Sequence, residues 1–395
     1  MFSLTGFEEK APPSHDEYAR QMFVSVLRKR IMADMAIEMR EAYREEVLPG
    51  FVREHGREPA DGREVRRAML HHPYFKAWSA LRYAAQEMTW WSVMPQVERN
   101  LQSLVDSARE LAKDRSGPGS LRLDPALEIP RDVSALDIHL MPGCFHTEHQ
   151  ADDVAQGAVY TLGTAVFGGA LKLRSHRMGG VGASIAHWLR VRYPEFHPRK
   201  LLDLGCTTGS NLFPYLAIHP GLEGYGVDVG APMLRYAHAR ARGMGLNVHF
   251  SQQNAESMDF ADGTFDIVCS SFFLHEQSVK ATRRILQEAW RVLKPGGVMV
   301  HMELPPASEV DAYYNFYLDW DAYYNNEPHY AAFRGLEFPK EVASAGFEPR
   351  DYFQTRIPNW GTVPEQEFEE CARGEREAPA HGNGASWFIF GAWKR

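Results

Sequence analysis

The sequence predicts an α/β protein in which a helical N-terminal domain precedes a doubly wound, mostly parallel sheet. Two patterns predict this class. Up to about residue 113, apolar residues recur at spacings of three and four between charged residues, which is typical of amphipathic helices. From Val181 onward, short apolar runs alternate with helical stretches, which is typical of βαβ units.

The helical N-terminal domain is assigned to residues 1–115. We expect one helical region over residues 14–54 and a second over residues 63–113, separated by a glycine-containing break. Pro73 and Pro95 are expected to divide the second region, because proline lacks the backbone N–H that a helix interior needs. The domain is expected to cover a substrate site or to form a homodimer contact.

The clearest boundary is the stretch "DRSGPGS" at residues 114–120, because its glycines, proline and serines cannot sustain a helix. Residues 116–175 are predicted to be an irregular, glycine-rich linker that covers a cofactor or substrate. Residues 176–395 are predicted to form the α/β domain.

Seven strands are predicted in that domain. The five parallel strands are placed at residues 200–204, 224–228, 248–252, 265–270 and 298–302. The segments "GFEPRDYFQTRI" and "SWFIFGAWK" are predicted to add an antiparallel edge, which gives a seven-stranded sheet.

Composition narrows the choice of partners. Lys and Arg number 43 against 51 Asp and Glu, and the resulting net charge of −8 opposes attraction to a nucleic-acid backbone. No apolar run approaches the roughly 20 residues that span a bilayer. Glu8 and Glu9 stand where a secretory signal carries basic residues, and the four cysteines form no CxxC pairs. We therefore expect a cytoplasmic protein with reduced thiols, no membrane span and no nucleic-acid partner.

Two motifs indicate a cofactor that contains adenosine. In "KLLDLGCTTGSNL", Gly205 follows an apolar strand and allows a tight turn that brings the backbone close to a ligand. Asp228 ends the next predicted strand, where a carboxylate can accept hydrogen bonds from ribose hydroxyls.

Over roughly residues 157–395 the sequence resembles the class I S-adenosylmethionine-dependent methyltransferases, in particular the small-molecule or quinone-methyltransferase-like branch. The family loop D-x-G-x-G-x-G matches Asp203, Gly205 and Gly209, with Thr207 in place of the middle glycine. "QQNAESMDFADGTFDIV", "CSSFFLHE" and "EAWRVLKPGGVMVHME" then follow in the family's order. The resemblance implies a Rossmann-like sheet, S-adenosylmethionine as cofactor, and O- or C-methylation of a small, mostly apolar or aromatic acceptor.

The resemblance also implies a set of cofactor-binding residues in the glycine loop and at the following strand ends. They are Asp203, Gly205, Cys206, Thr207, Gly209, Asp228, Val229, Met233, Asn254, Ala255 and Ser270. Tyr160 precedes the core domain at a position where related enzymes have an aromatic residue over the cofactor; a plain packing role is the alternative.

Candidate bases are sought at the carboxyl ends of the strands, because ligands bind there in open α/β sheets. His275 is the first candidate, since imidazole has a reference pKa of about 6.5; alternatively it packs the start of a helix. Glu276 is a further candidate. Glu303 either orients a substrate hydroxyl or amine or lies on the surface, and His301 is expected to be structural.

The segment "PGCFHTEHQADD" at residues 142–153 raises the question of a metal site. Methyl transfer does not require a metal and the segment is irregular, so we predict no metal and a solvated or substrate-facing loop. His146 and His149 are its candidate substrate-binding residues.

The aromatic segment "DAYYNFYLDWDAYYNN" at residues 311–326 is predicted to be a helix with one aromatic face. Tyr313, Tyr317 and Trp320 lie on that face. They belong either to the core or to the wall of a substrate pocket.

Two other functions are compatible with these motifs. One is a non-catalytic protein that retains the cofactor fold, and the other is a nicotinamide-dependent oxidoreductase. Methylation of a protein or RNA is less favoured because of the acidic charge.

Overall fold

The computed structural model describes residues 7–114, 116–167, 180–382 and 384–395. An eight-stranded sheet forms its centre, with the strand order β1-β4-β3-β2-β5-β6-β8-β7. The strands are β1 (Ser120–Arg122), β2 (Lys200–Leu204), β3 (Glu223–Asp228), β4 (Val248–Gln252), β5 (Phe265–Ser271), β6 (Leu293–Glu303), β7 (Tyr352–Pro358) and β8 (Ser386–Trp393).

The pairing of the strands confirms the predicted α/β class and its antiparallel edge. Strands β1 to β6 pair in parallel, and β8 pairs antiparallel with both β6 and β7. The chain adds β3 and β4 on one side of β2 and then returns to add β5 and β6 on the other side. This reversal opens a crevice at the carboxyl ends of β2 and β5, where ligands bind in such sheets.

The predicted seven-stranded sheet is corrected by β1, which adds an eighth strand. This strand is only three residues long, too short for a visible alternation of apolar and polar residues. Gly119, with φ +79°, lets the chain approach β4, because a Cβ there would lie 2.2 Å from the Val248 carbonyl oxygen. The segment predicted to be irregular therefore contributes a strand.

The helices cover both faces of the sheet and build the N-terminal region. They are α1 (His15–Lys29), α2 (Ala36–Ala42), α3 (Leu48–His55), α4 (Gly62–Met69), α5 (Pro73–Lys113), α6 (Arg131–Ser134), α7 (Ala155–Phe167), α8 (Val181–Arg192), α9 (Phe213–Ile218), α10 (Ala231–Gly243), α11 (Val279–Val292), α12 (Ala312–Tyr324), α13 (Tyr330–Arg334), α14 (Phe338–Ser344) and α15 (Glu365–Arg373). Helix α7 also lies in the segment predicted to be irregular, whose boundary at residues 175 and 176 falls outside the described residues.

The prediction that both prolines divide the second helical region is half right. Pro73 begins α5, where its missing N–H has no helical partner to lose. Pro95 lies inside α5, which continues past it without a break. The whole helix is 41 residues long, or about 60 Å. The contacts of α5 with α1, α7 and α10 hold the helix together despite the missing hydrogen bond.

The N-terminal helices share their hydrophobic cores with the α/β part of the chain. One core joins α5 and α7 to α10, and another joins α1, α2, α4 and α5 to α12. The indole rings of Trp78 and Trp320 stack with centroids 3.9 Å apart. Arg82 on α5 also forms an ion pair with Asp321 on α12, with Nε 2.6 Å from Oδ1.

The aromatic face of α12 is part of this core, which is the first of the two alternatives that the sequence left open, and its three candidate residues are not among those that line the cavity described below. Tyr313 packs against Tyr43 with ring centroids 4.8 Å apart, and Tyr317 stacks on Trp78 at 5.4 Å. Trp320 donates from Nε1 to the Ser79 hydroxyl at 2.9 Å. The apolar surface that covers these rings comes from the N-terminal helices, and the sequence pattern of α12 alone does not reveal it.

Over the ranges that the structure describes, we find no helix with both the length and the apolar character needed to cross a membrane.

Replacing Trp78 by alanine should lower the free energy of unfolding by about 3 to 5 kcal/mol, because it removes a fully buried ring between α5 and α12. Trp91 lies on the same helix but is 55% exposed, so Trp91→Ala is the matched control and should stay within about 0.5 kcal/mol of the parent. Urea unfolding followed by circular dichroism measures both. Equal losses in the two variants would contradict the shared core.

Candidate functional site

A cavity opens at the carboxyl ends of β2, β3, β4 and β5, at the point where the strand order reverses. It brings together most of the residues predicted to bind the cofactor. Those that line it are Tyr160, Asp203, Gly205, Cys206, Thr207, Asp228, Val229, Asn254 and Ala255.

The glycine loop after β2 forms one wall of the cavity. Gly205 has φ +65°, and a Cβ there would lie 2.3 Å from the ring of Phe273, so the position requires glycine. Thr207, which stands in place of the family's middle glycine, itself takes the left-handed conformation with φ +45°. The loop therefore keeps the backbone shape of the motif despite the substitution.

Asp228 holds this loop from the end of β3. Its carboxylate accepts hydrogen bonds from the backbone N–H groups of Thr207 at 2.9 Å and of Gly230 at 2.8 Å. Burial raises the pKa of Asp228 to about 6, although these hydrogen bonds oppose the shift. A carboxylate offers about four acceptor sites, so Asp228 retains capacity for ligand hydroxyls.

The cavity is acidic. Burial, together with the charge of Asp228, raises the pKa of Asp203 to about 8. Glu276 adds a third carboxyl group, and none of the described lining residues is Lys, Arg or His. The cavity is therefore suited to a ligand that carries positive charge and hydroxyl groups, and it opposes a pyrophosphate.

Three residues predicted to bind the cofactor do not line the cavity. Gly209 lies against the ring of Phe213, and Met233 is buried in the core shared with the N-terminal helices. Ser270 points away and bonds His301 Nδ1 at 2.7 Å. Because side chains alternate between the faces of a strand, the neighbouring Ser271 lines the cavity instead.

The prediction that His275 is the general base is corrected by its surroundings. The ring is buried, and Nδ1 lies 2.6 Å from Oε2 of Glu303. Burial lowers the pKa of His275, but the charge of Glu303 outweighs it and raises the pKa to about 9. Glu303 thus favours the protonated imidazole, and His275 is not among the residues that line the cavity, which supports the alternative in which His275 packs the turn after β5.

Glu303 is fully buried at the end of β6, neither on the surface nor in the cavity. Its Oε1 accepts hydrogen bonds from the backbone N–H groups of Leu274 at 2.7 Å and Phe273 at 3.1 Å. With His275 on its other oxygen, Glu303 fixes the turn that follows β5. That turn carries Glu276, the one predicted catalytic residue that lines the cavity.

Sequence reasoning missed His139, which contacts Glu276. Its Nε2 lies 2.9 Å from Glu276 Oε1, and its Nδ1 lies 2.9 Å from Glu327 Oε1. Burial lowers the pKa of His139, but the hydrogen bonds to Glu276 and Glu327 outweigh it and raise the pKa to about 10. The three residues come from separate segments of the chain, so no local spacing could have indicated the cluster.

The loop at residues 142–153 uses its acidic groups for structure. Glu148 forms an ion pair with Arg235, and Asp152 forms one with Arg109. Asp153 accepts the backbone N–H of His149 at 2.7 Å and caps the start of α7. Over the described ranges, no group of three or more His, Cys, Asp or Glu side chains is arranged to hold a metal.

The two histidines of that loop do not line the cavity, contrary to their predicted substrate role. His149 is exposed. His146 is half-buried, and burial lowers its pKa.

Comparison with known proteins agrees with this geometry. Residues 201–297 match a family model described as a methyltransferase domain. The demethylmenaquinone methyltransferase of Thermus thermophilus is 37% identical over 112 residues, which are 28% of this chain and 50% of that protein. The ubiquinone/menaquinone biosynthesis C-methyltransferase of Vibrio campbellii is 31% identical over 180 residues, 39% of this chain and 66% of that protein.

Among solved structures, an O-methyltransferase family protein from Burkholderia thailandensis aligns with a TM-score of 0.39 and 19% identity, over 61% of this chain and 62% of that one. This structural similarity is too low to support a conclusion about the chain. The chain spans half to two thirds of the length of the two curated relatives, and the matched family model does not include the N-terminal helices.

Asp203 should make the protein less stable as the pH rises. Its folded pKa of about 8 exceeds the ordinary value of 3.8, so the folded state binds a proton that the unfolded state has lost, and stability falls across that interval. Asparagine cannot ionise, so Asp203→Asn should be the more stable protein at the upper end and should show a shallower decline than the parent between about pH 4 and 8; the raised pKa values of His275 and His139 leave a further decline in both proteins above about pH 6.5.

Urea unfolding at a series of pH values measures this dependence. Asp262→Asn is the control, because Asp262 is exposed and far from the cavity, and it should keep the parent slope. The same slope in Asp203→Asn as in the parent would contradict the assignment to Asp203.

Proposed function

Because the chain carries a class I S-adenosylmethionine-dependent methyltransferase domain, we propose that it transfers a methyl group to a small, mostly apolar or aromatic acceptor at carbon or oxygen. The observation that carries this proposal is the cavity at the reversal of the strand order. It combines three carboxyl groups with aromatic side chains and no basic group among its described lining residues.

The residues of the cavity fit S-adenosylmethionine. Asp228 would accept the ribose hydroxyls and Asp203 would bind the ammonium group, while Asn254 and Ala255 would contact the adenine. When bound, the cofactor supplies a methyl group already activated by the positive charge of its sulfonium. Gly205 supports the fit, because only a residue without Cβ lets the glycine loop pass this close to the ring of Phe273, which also lines the cavity.

Aromatic side chains among the residues that line the cavity support an apolar or aromatic acceptor. Phe145 and Tyr160 meet edge to face with centroids 5.7 Å apart. Phe272 is 37% exposed and takes φ +55°, which turns the chain at the rim of the cavity. Flat rings of this kind bind planar acceptors and exclude water from the reacting atoms.

A reduced quinone is the acceptor class we propose to test first. Two curated relatives are named for menaquinone or ubiquinone synthesis. A hydroquinone ring is planar and mostly apolar, which matches the aromatic side chains that line the cavity. O-methylation of a phenol is the second reaction of the same class.

The chain's contribution is to orient the acceptor and to receive its proton. An acceptor atom must lie in line with the methyl group at about 3 to 3.5 Å, which the aromatic walls would set. Glu276 is the cavity carboxylate to which we assign proton acceptance, because Asp203 and Asp228 are assigned to the cofactor. His275 and Glu303 are buried and do not line the cavity.

The oxidoreductase alternative is disfavoured, because three carboxyl groups would face a dinucleotide pyrophosphate. A non-catalytic cofactor-binding protein is distinguished from an enzyme by turnover alone. The homodimer contact and the lack of a nucleic-acid partner stay predictions.

Incubation with S-adenosylmethionine and a panel of reduced naphthoquinones, reduced benzoquinones and simple phenols should yield one product heavier by a single CH₂. S-adenosylhomocysteine should form in equal amount, and mass spectrometry measures both. Cofactor binding without methylation of any panel member would contradict the proposed acceptor class and would favour the non-catalytic alternative.

Asp228→Asn should weaken cofactor binding about 10- to 100-fold, since it removes a charged acceptor and turns an amide N–H toward a backbone N–H. Asp259→Asn is the control, because Asp259 pairs with Arg122 outside the cavity. Isothermal titration calorimetry measures both affinities. An unchanged affinity for Asp228→Asn would contradict the placement of the ribose.

A further inference from the structure

We propose that Glu276 takes the proton of the acceptor and that His139, held in place by an N-terminal helix, is the positioning residue for Glu276. This inference rests on the proposed function. The bond between the methyl group and the sulfonium sulfur would break as the acceptor's X–CH₃ bond forms, with the electron pair staying on the sulfur of S-adenosylhomocysteine; the acceptor's X–H proton would pass to the Glu276 carboxylate, and solvent would remove it after product release.

The arrangement of charges supports the two roles. His139 binds Glu276 through Nε2 and Glu327 through Nδ1, each at 2.9 Å, so one oxygen of Glu276 is engaged and the other is available to the cavity. Glu327 is 5% exposed, and its charge compensates that of the imidazolium. The two carboxylates and the imidazolium together therefore carry one net negative charge.

The backbone of His139 is held from helix α5. Its carbonyl oxygen accepts hydrogen bonds from Trp90 Nε1 at 2.7 Å and from Gln86 Nε2 at 2.9 Å. His139 has φ +58° and Leu140 has φ +56°, a left-handed pair that non-glycine residues adopt only where contacts enforce it. Gln86 is fixed in turn by Arg28, whose Nη1 lies 2.6 Å from Gln86 Oε1.

Glu327 is fixed by the same N-terminal helices. It follows α12, which α5 holds through the Trp78 and Trp320 stack and the Arg82 and Asp321 ion pair. Glu276 is fixed from the sheet through Glu303. Both partners of His139 thus have rigid supports, and the N-terminal helices complete the site rather than merely cover it.

Other ionisable groups face the two carboxylates and set the background of any pH profile. His275, Asp228, Tyr160 and Cys144 face Glu276, and His275, Arg82 and Tyr330 face Glu327. The variants described next leave all of these groups unchanged.

The pH profile separates positioning from a purely structural role. With 1,4-naphthohydroquinone as acceptor, the readout is the pH profile of kcat/KM. His139→Gln removes a cation beside the proposed base and should move the profile to higher pH, whereas Glu327→Gln removes an anion and should move it to lower pH. Glu276→Gln should lower kcat about 100-fold or more.

Glu337→Gln is the control for these variants, because Glu337 is an exposed carboxylate paired with Lys340. It should leave the profile in place. Profiles that do not move, or that move in the same direction for His139→Gln and Glu327→Gln, would overturn the proposal.

The link to α5 is tested with Trp90→Phe, which keeps an aromatic ring but removes the N–H donor to the His139 carbonyl. It should lower kcat about fivefold and leave the affinity for S-adenosylmethionine unchanged. Trp91→Phe is the matched control on the exposed side of the same helix and should have no effect. Equal kcat in the two variants would overturn the role of α5.

A failure of the proposed function is seen separately, in the parent protein. If the parent methylates neither 1,4-naphthohydroquinone nor any panel member, the acceptor class is wrong, and ¹⁵N NMR of labelled histidine then tests the positioning. His139 should carry protons on both ring nitrogens at neutral pH and should lose one at lower pH in Glu327→Gln than in the parent. A neutral His139 in the parent would overturn the proposal.

Discussion

The buried carboxylate of Glu303 is the interaction on which the candidate site depends. It accepts two backbone N–H groups of the turn after β5 and pairs with His275, so it fixes the path of the chain at the edge of the cavity. A fully buried carboxylate is costly unless its oxygens are satisfied, and here the turn itself satisfies them. Sheet, turn and Glu276 are thereby joined into one rigid unit.

The N-terminal helices extend this unit from the opposite side. They approach the cavity through the His139 carbonyl and through α12, and these connections use partly buried hydrogen bonds and stacked rings. Such contacts lose their value if either partner moves, so the helices and the sheet hold a common geometry. The aromatic segment of α12 serves this purpose, and its rings lie between the two parts of the chain.

The parts of the molecule that the sequence predicts are those built from local patterns. Strand β2, the loop at Gly205 and the carboxylate of Asp228 follow one another closely in the chain, so their geometry can be read from spacing. His139, Glu276 and Glu327 meet only through tertiary packing, and the pairing of buried His275 with Glu303, which favours the protonated imidazole, is likewise a property of the whole fold. Strand β1 was not predicted, because three residues are too few to show an alternating pattern. The expected break at Pro95 was wrong, because tertiary contacts outweigh one lost hydrogen bond.

Burial of the cavity's carboxyl groups also determines which ligand charges the cavity favours. Burial, together with the charge of Asp228 beside it, raises the pKa of Asp203 to about 8 and so favours its protonated form near neutral pH. A ligand that brings an ammonium and a sulfonium would favour the ionised form of both carboxyls, so its binding and the loss of the Asp203 proton favour each other. An acceptor that carries its own carboxylate gains no such compensation near Glu276. A neutral acceptor therefore fits the electrostatics of the cavity.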